Sequence, residues 1–253
     1  MGGLFDGRVA VISGAASGIG AATARRLAAD GATVVVADVD LTGAQQVAAE
    51  TGGTAVRLDV TSHGEWEQVL ADVVRQHGRL DIVHLNAGVM TPPTGAALGD
   101  DPVRWLTPDA YERVTRINID GVAFGLMAAL PHLERAGGGD IVMTASIAGM
   151  VAFPGDAFYA MTKHAVNGLA RSLGPALESR NIRVNAVCPG PMNTKILPAD
   201  MNRLANRISE PSYIADTIVT ILTSGGTGEC WVAYAEGKRP WPYEWAGIRP
   251  PGA

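Results

Sequence analysis

Tyr159-Ala160-Met161-Thr162-Lys163 places a phenol and an ammonium four positions apart. On a helix, residues so spaced share a face. A free tyrosine titrates near ~10 and is a poor base at neutral pH, but a cation within ~4–6 Å favours the phenolate. Bringing the phenol into the neutral range corresponds to roughly 3–4 kcal/mol of differential stabilisation. Tyr159 could then exchange a proton with an alcohol or a ketone. Ser146 precedes Tyr159 at the end of an apolar run, where its hydroxyl could hydrogen-bond the same substrate oxygen. Asn118 sits in a helical pattern although asparagine is a poor helix former; alone it reads as a surface residue.

A second constellation lies near the start of the chain. An apolar run leads into Ser13-Gly14-Ala15-Ala16-Ser17-Gly18-Ile19-Gly20, where a helical pattern begins. A strand, a glycine turn and a helix start gather free backbone N–H groups and the positive end of the helix dipole, which suits a pyrophosphate. Gly14 can take the tight turn, Gly18 admits a close ligand and Gly20 allows close packing of helix on strand. Asp38 closes the second apolar run. A carboxylate there can accept hydrogen bonds from both hydroxyls of an adenosine ribose and would repel a 2′-phosphate. No Lys or Arg lies in the glycine turn or directly after Asp38, so NAD is expected over NADP.

The elements that must position these groups alternate regularly. Apolar, β-branched runs at 9–12, 33–37, 56–58, 82–85, 141–144, 182–187 and 231–234 read as strands. Helical patterns occupy 19–30, 41–50, 65–76, 108–132, 157–178 and 212–222. Continuously apolar strands alternating with helices imply an α/β fold with a parallel sheet covered on both faces. Strand C-terminal ends then form the ligand crevice. Residues 1–236 are expected to form a single domain. The stretch 237–253 carries four prolines among Trp241, Tyr243 and Trp245, and is expected to pack on the body or on a neighbouring subunit rather than form a helix.

Composition removes other classes. A net charge of −5 argues against a nucleic-acid surface, which needs a clustered basic face. Cys188 and Cys230 are too few for a disulfide framework. No apolar run is long enough to cross a bilayer, and the first residues do not read as a secretion signal, so a soluble cytoplasmic protein is expected. His63, His77, His84, His132 and His164 lack metal-ligand spacing; no metal is expected, and surface or helix-face roles are expected for all five.

With these motifs in order, the chain from about Gly7 to Ala235 resembles the short-chain dehydrogenase/reductases of about 250 residues. Further matching pieces are Asp59-Val60, Asn86-Ala87-Gly88 and Pro189-Gly190-x-x-x-Thr194. The resemblance implies a Rossmann-type doubly wound, mainly parallel seven-stranded sheet. It implies that Tyr159 is the acid/base, that Lys163 lowers its pKa and binds the nicotinamide ribose, that Ser146 orients the substrate, and that Asn118 holds a relay water. It further implies a cofactor bound by Gly14, Ser17, Gly18, Ile19, Gly20, Asp38, Asp59, Val60, Asn86, Ala87, Gly88, Tyr159, Lys163, Pro189, Gly190, Met192 and Thr194. The reaction implied is hydride transfer between NAD and a secondary alcohol or ketone, with an NADPH-dependent ketoreductase as the alternative. A non-catalytic dinucleotide-binding regulator would not need the four catalytic residues together.

Several positions depart from the pattern. Ser13 stands for Thr with its hydroxyl kept, Leu85 stands for the first Asn of Asn-Asn-Ala-Gly, and Ala145 for a Ser. The segment from Gly88 to Asn118 is longer than usual, the segment between Thr194 and Pro211, which carries the family's substrate lid, is short, and the ending is rich in Trp and Pro. Met90, Ile147, Met150, Phe153, Phe158, Met192, Ile196 and Leu197 are expected to line an uncharged pocket for an apolar or aromatic substrate body. A homo-dimer or homo-tetramer is expected, packed through Val122, Gly125 and Ala129.

Overall fold

In the computed structural model, which describes residues 2–97, 99, 101–197, 200 and 208–246, seven strands run parallel in one sheet. They are β1 (Val9–Ser13), β2 (Thr33–Asp38), β3 (Thr54–Arg57), β4 (Ile82–Leu85), β5 (Gly139–Thr144), β6 (Ile182–Pro189) and β7 (Cys230–Ala233). The order across the sheet is β3-β2-β1-β4-β5-β6-β7, extended by β8 (Trp241–Pro242), which pairs antiparallel with β7. The sheet therefore has eight strands rather than the expected seven. A proline-bearing run of two paired residues has no length and no alternation by which to be read from sequence.

The helices are α1 (Gly18–Ala29), α2 (Leu41–Thr51), α3 (His63–His77), α4 (Pro108–Thr115), α5 (Gly121–Arg135), α6 (Ala157–Leu177) and α7 (Pro211–Ser224). Two apolar cores flank the sheet. One is built around Trp66, Leu70, Leu85, Leu133 and Met143, the other around Phe5, Ile12, Leu27, Ile214 and Ile218. Burial on both faces explains why the strands read as unbroken apolar runs.

The helical pattern at 108–132 is one helix with a defect. Between α4 and α5 the turn widens to π geometry over Arg116–Asp120. Such bulges turn a side chain out of the regular register, and the one turned here is Asn118. The small-residue stripe of α5 does not face outward: Val122 and Ala129 are buried, and a Cβ on Gly125 would lie 2.5 Å from Leu85 and 2.7 Å from Trp66. The expectation that this stripe packs subunits together is overturned, because the chain's own core fills it. Met127 is the large apolar residue that α5 leaves exposed.

Trp66 shows how packing reaches the cleft. It is wholly buried on α3, and its indole N–H donates to the Val60 carbonyl at 3.2 Å. Gly125 makes room for the ring. Replacing Trp66 with Ala should lower the unfolding free energy by about 3–5 kcal/mol, read from urea unfolding; an unchanged midpoint would show that the indole is not packed as described.

Candidate active site

The C-terminal ends of the central strands open into a cleft of about 720 Å³. Its floor is set where β1 and β4 end. The Ser13 hydroxyl oxygen accepts the backbone N–H groups of Asn86 (3.0 Å) and Ala87 (3.3 Å). In return the Asn86 amide donates to the carbonyls of Ser13 (3.0 Å) and Gly14 (3.1 Å). Gly14 has φ +63°, and a Cβ there would stand 2.7 Å from the Ala87 Cα. The turn therefore accepts only glycine at this position.

Beyond the turn, α1 starts without help. Its N-cap Ser17 makes no side-chain capping bond, and its first turn holds no acidic residue. Asp40, Ser62, Thr107 and Asp156 cap α2, α3, α4 and α6 with their side chains. Ser17, Gly18 and Ile19 all line the cleft, so the first-turn amides and the positive helix end face it. This donor set fits the pyrophosphate of a dinucleotide.

The Asp38 carboxylate stands next to this turn. It accepts the N–H of Ala16 and that of Asp40, each at 2.9 Å, and lines the cleft with Val39, Leu58, Asp59 and Val60. Arg57, its partner across β2 and β3, ion-pairs with Glu65 at 3.0 Å. That guanidinium is occupied by Glu65. Asp59 is folded back on Thr61, whose backbone and hydroxyl hydrogen bonds hold its carboxyl below the ordinary value.

At the other end of the cleft, Ser146 lies just past β5 and Tyr159 in the first turn of α6, both lining it, with Ser146 close enough to favour the phenolate. The Lys163 ammonium donates to the Thr144 carbonyl at 2.8 Å and sits 5.6 Å from the centre of the Tyr159 ring. Burial dominates both groups. It pushes the Tyr159 phenol up to about 12, with the Ser146 hydrogen bond acting against it, and pushes Lys163 down to about 8. The expected lowering of the phenol by Lys163 is not found: the opposing influence comes from Ser146, and desolvation, which penalises each charged form, dominates.

The remaining cofactor-site residues Ala87, Gly88, Pro189, Gly190, Met192 and Thr194 also line the cleft. Two others of the expected set do not. Gly20 is buried under the turn, where a Cβ would meet the Gly14 carbonyl oxygen at 2.3 Å; it permits packing and does not line the cleft. Asn118 is wholly buried. Its side-chain oxygen accepts the Val89 N–H at 2.8 Å, and its amide donates to the Val89 carbonyl (2.9 Å) and the Thr162 hydroxyl (3.0 Å). Both amide hydrogens are engaged, so Asn118 braces the wall behind Lys163.

The apolar wall is partly as expected. Met90, Ile147, Phe153, Met192, Ile196 and Leu197 line it. Met150 packs on the core instead, and Phe158 turns away to stack edge-on against Tyr111, with centroids 5.3 Å apart. Lys195 adds a cation to the lining that the sequence analysis left out. The short lid segment falls largely outside the described residues; Asp200 within it accepts the Gly99 N–H at 2.9 Å.

His84 contradicts its expected surface or helix-face role. It is fully buried on β4, with Nε2 2.8 Å from the Thr144 hydroxyl. That hydroxyl donates to the Asn86 side-chain oxygen at 3.0 Å. Its one proton is thereby used, so the hydrogen-bond network assigns the His84 proton to Nε2. Burial pushes His84 down to about 3, which keeps it neutral. A lone histidine in an apolar run carried no sequence signal for this link.

A model of the short chain dehydrogenase family matches residues 8–203. The cis-4-hydroxycyclohexanecarboxylate dehydrogenase of Sinomonas cyclohexanicum is 37% identical over 241 residues, covering 90% of this chain and 94% of that protein. The cyclohexanol dehydrogenase of an Acinetobacter species is 32% identical, covering 87% of this chain and 89% of its own. Among solved structures, a short chain dehydrogenase from Mycobacterium paratuberculosis bound to NAD superposes with a TM-score of 0.80 at 30% identity, over 92% of this chain and 98% of that one. The chain belongs to the short-chain dehydrogenase family.

The buried lysine has a measurable consequence. Below about pH 8 folded and unfolded chains both carry the ammonium, and the folded chain bears the burial cost. Between about 8 and the ordinary value of 10.5 the folded chain sheds the proton while the unfolded chain keeps it. Through this window the unfolding free energy of the ligand-free protein should rise with pH, by about 3 kcal/mol at most. Lys163→Met should lack that rise when urea unfolding is compared at about pH 7.5 and about pH 9.5. Identical pH dependence in the two proteins would refute it.

Proposed function

We propose that this chain is an NAD-dependent oxidoreductase that interconverts a secondary alcohol and a ketone whose body is apolar, alicyclic or aromatic. One observation carries the reading: a single cleft holds an uncapped helix start and Asp38 at one end and the Ser146–Tyr159 pair at the other. The Sinomonas and Acinetobacter relatives are named for ring alcohols, and the apolar wall of Met90, Ile147, Phe153 and Leu197 suits such a ring.

The first-turn amides of α1 hold the pyrophosphate, Asp38 the adenosine ribose, and Leu58 and Val60 flank the adenine. Pro189, Gly190, Met192 and Thr194 hold the nicotinamide end beside Lys163. When bound, the nicotinamide supplies the hydride acceptor or donor. Ser146 orients the substrate oxygen toward the Tyr159 phenol. Tyr159 removes the hydroxyl proton during oxidation and returns it during reduction. Lys163 stabilises the phenolate that this requires, and the apolar wall excludes water from the reacting carbon.

Residues 1–236 form the catalytic domain of this reading. Residues 237–246 rest on the body through Trp245, whose ring carries the Arg171 guanidinium 4.2 Å from its centre, and 247–253 lie outside the described residues. No helix among the described residues is long and apolar enough to cross a membrane, and the site asks for a small molecule rather than a nucleic acid. A cytoplasmic homo-dimer or homo-tetramer accompanies this reading. It is supported by the large apolar side chains of Met127 and Met161 left exposed on α5 and α6, and a light-scattering mass of one chain would exclude it.

Tyr159→Phe should lower kcat for cyclohexanol oxidation roughly 10²- to 10⁴-fold while keeping the thermal shift caused by NAD. NADP at the same concentration should give a smaller shift. Full turnover by the variant, or a larger shift with NADP, would sink the reading.

A further inference from the structure

Val89 and Met90, in the segment that leaves β4, line the cleft, and Thr91 and Pro92 follow them in the chain. This segment is pinned at both ends by side chains from elsewhere. At Val89 the pin is Asn118, which takes both the N–H and the carbonyl. At Thr91 the N–H donates to Asp156 at 2.8 Å. Arg113 of α4 donates to the carbonyls of Met90 (2.9 Å) and Thr91 (2.6 Å). The Thr91 hydroxyl has no partner among the described residues although it is buried. The segment is therefore held through its backbone, and Asp156 supplies the one acceptor for the Thr91 amide.

The same carboxylate has a second task. Its other oxygen accepts the backbone N–H of Tyr159 at 3.0 Å and caps α6. Asp156 is 4% exposed. Its two oxygens thus tie Thr91, the neighbour in the chain of the cleft-lining Met90, to Tyr159. Asn118 repeats the arrangement one turn along α6, through Thr162. The wall and the helix that carries the phenol form one unit, and Met90 keeps a fixed offset from Tyr159.

We propose that Asp156 is a positioning residue that sets the space between the Met90 wall and the Tyr159 phenol, and so selects ring-sized secondary alcohols over small acyclic ones. This rests on the alcohol–ketone reading above. A ring alcohol touches the wall while its hydroxyl reaches Tyr159, so it registers any change in the offset. An alcohol with two methyl arms does not span that space. Loss of the helix cap alone would affect both substrates alike, because both use the same phenol.

Asp156→Ser separates the two tasks. Serine still caps the Tyr159 amide but is too short to reach Thr91 as well. The ratio of kcat/KM for cyclohexanol to that for 2-propanol should fall roughly tenfold, the size of one lost charge-assisted hydrogen bond. Amide hydrogen exchange should quicken across residues 89–92 and stay slow across 157–163. An unchanged ratio, or an equal loss for both alcohols with faster exchange in α6, would overturn the proposal. Should Asp156→Ser fail to fold, Arg113→Met loosens the same segment from α4 without touching the cap. It must then lower the same ratio, and a constant ratio would equally overturn the proposal. The exchange measurement needs no turnover. Wild-type protein inactive on every secondary alcohol would therefore remove the functional reading, while the tie between wall and helix would still be read.

Discussion

The cleft depends on one reciprocal contact, between Ser13 at the end of β1 and Asn86 at the end of β4. Each side chain satisfies backbone groups of the other strand. A turn that leaves a buried strand would otherwise carry orphan carbonyls and amides, each expensive out of water. The first-turn amides of α1, without a side-chain cap, stay directed at the cleft beside this contact. The bonding continues from Asn86 to the Thr144 hydroxyl and back to His84, while the Thr144 carbonyl takes Lys163. The anion-binding end and the proton-handling end share one hydrogen-bonded spine across β1, β4 and β5.

At the Tyr159 end, burial opposes the proposed proton transfer. The interior that would keep water from a substrate also holds the phenol protonated and weakens the hold of Lys163 on its proton. At neutral pH Tyr159 is therefore a neutral phenol, while Lys163 remains an ammonium whose proton is held less firmly than usual. The Lys163 ammonium is buried at a cost to the fold, whereas the neutral Tyr159 phenol is not.

Much of this was legible in the sequence because it rests on spacing. The strand–turn–helix at Gly14 to Gly20, the carboxylate after β2 and the phenol–ammonium pair are local patterns, and topology brings local patterns to one sheet edge. The parts that were not legible depend on partners far apart in sequence. Gly20 looks like the other glycines of its turn, and only the packed Gly14 carbonyl shows that it faces inward. Asn118 reads as a surface residue until the π turn rotates it into the core. Phe158 lies beside Tyr159 in the chain, and one step along a helix turns it about 100° away. Val122, Gly125 and Ala129 show a similar limit: a stripe of small residues marks close approach but does not say whether the neighbour is the same chain.

The short β8 strand closes one margin of the sheet. Beyond β7 the ladder is completed by Trp241 and Pro242, and the Tyr243 amide is given to the Cys230 carbonyl. Proline has no amide hydrogen, and two residues make a very short rim. An incoming strand would find almost no row of donors to continue the sheet. This margin is thereby protected against edge-to-edge aggregation, and growth of the sheet from one molecule into the next is blocked there by covalent chemistry rather than by charge.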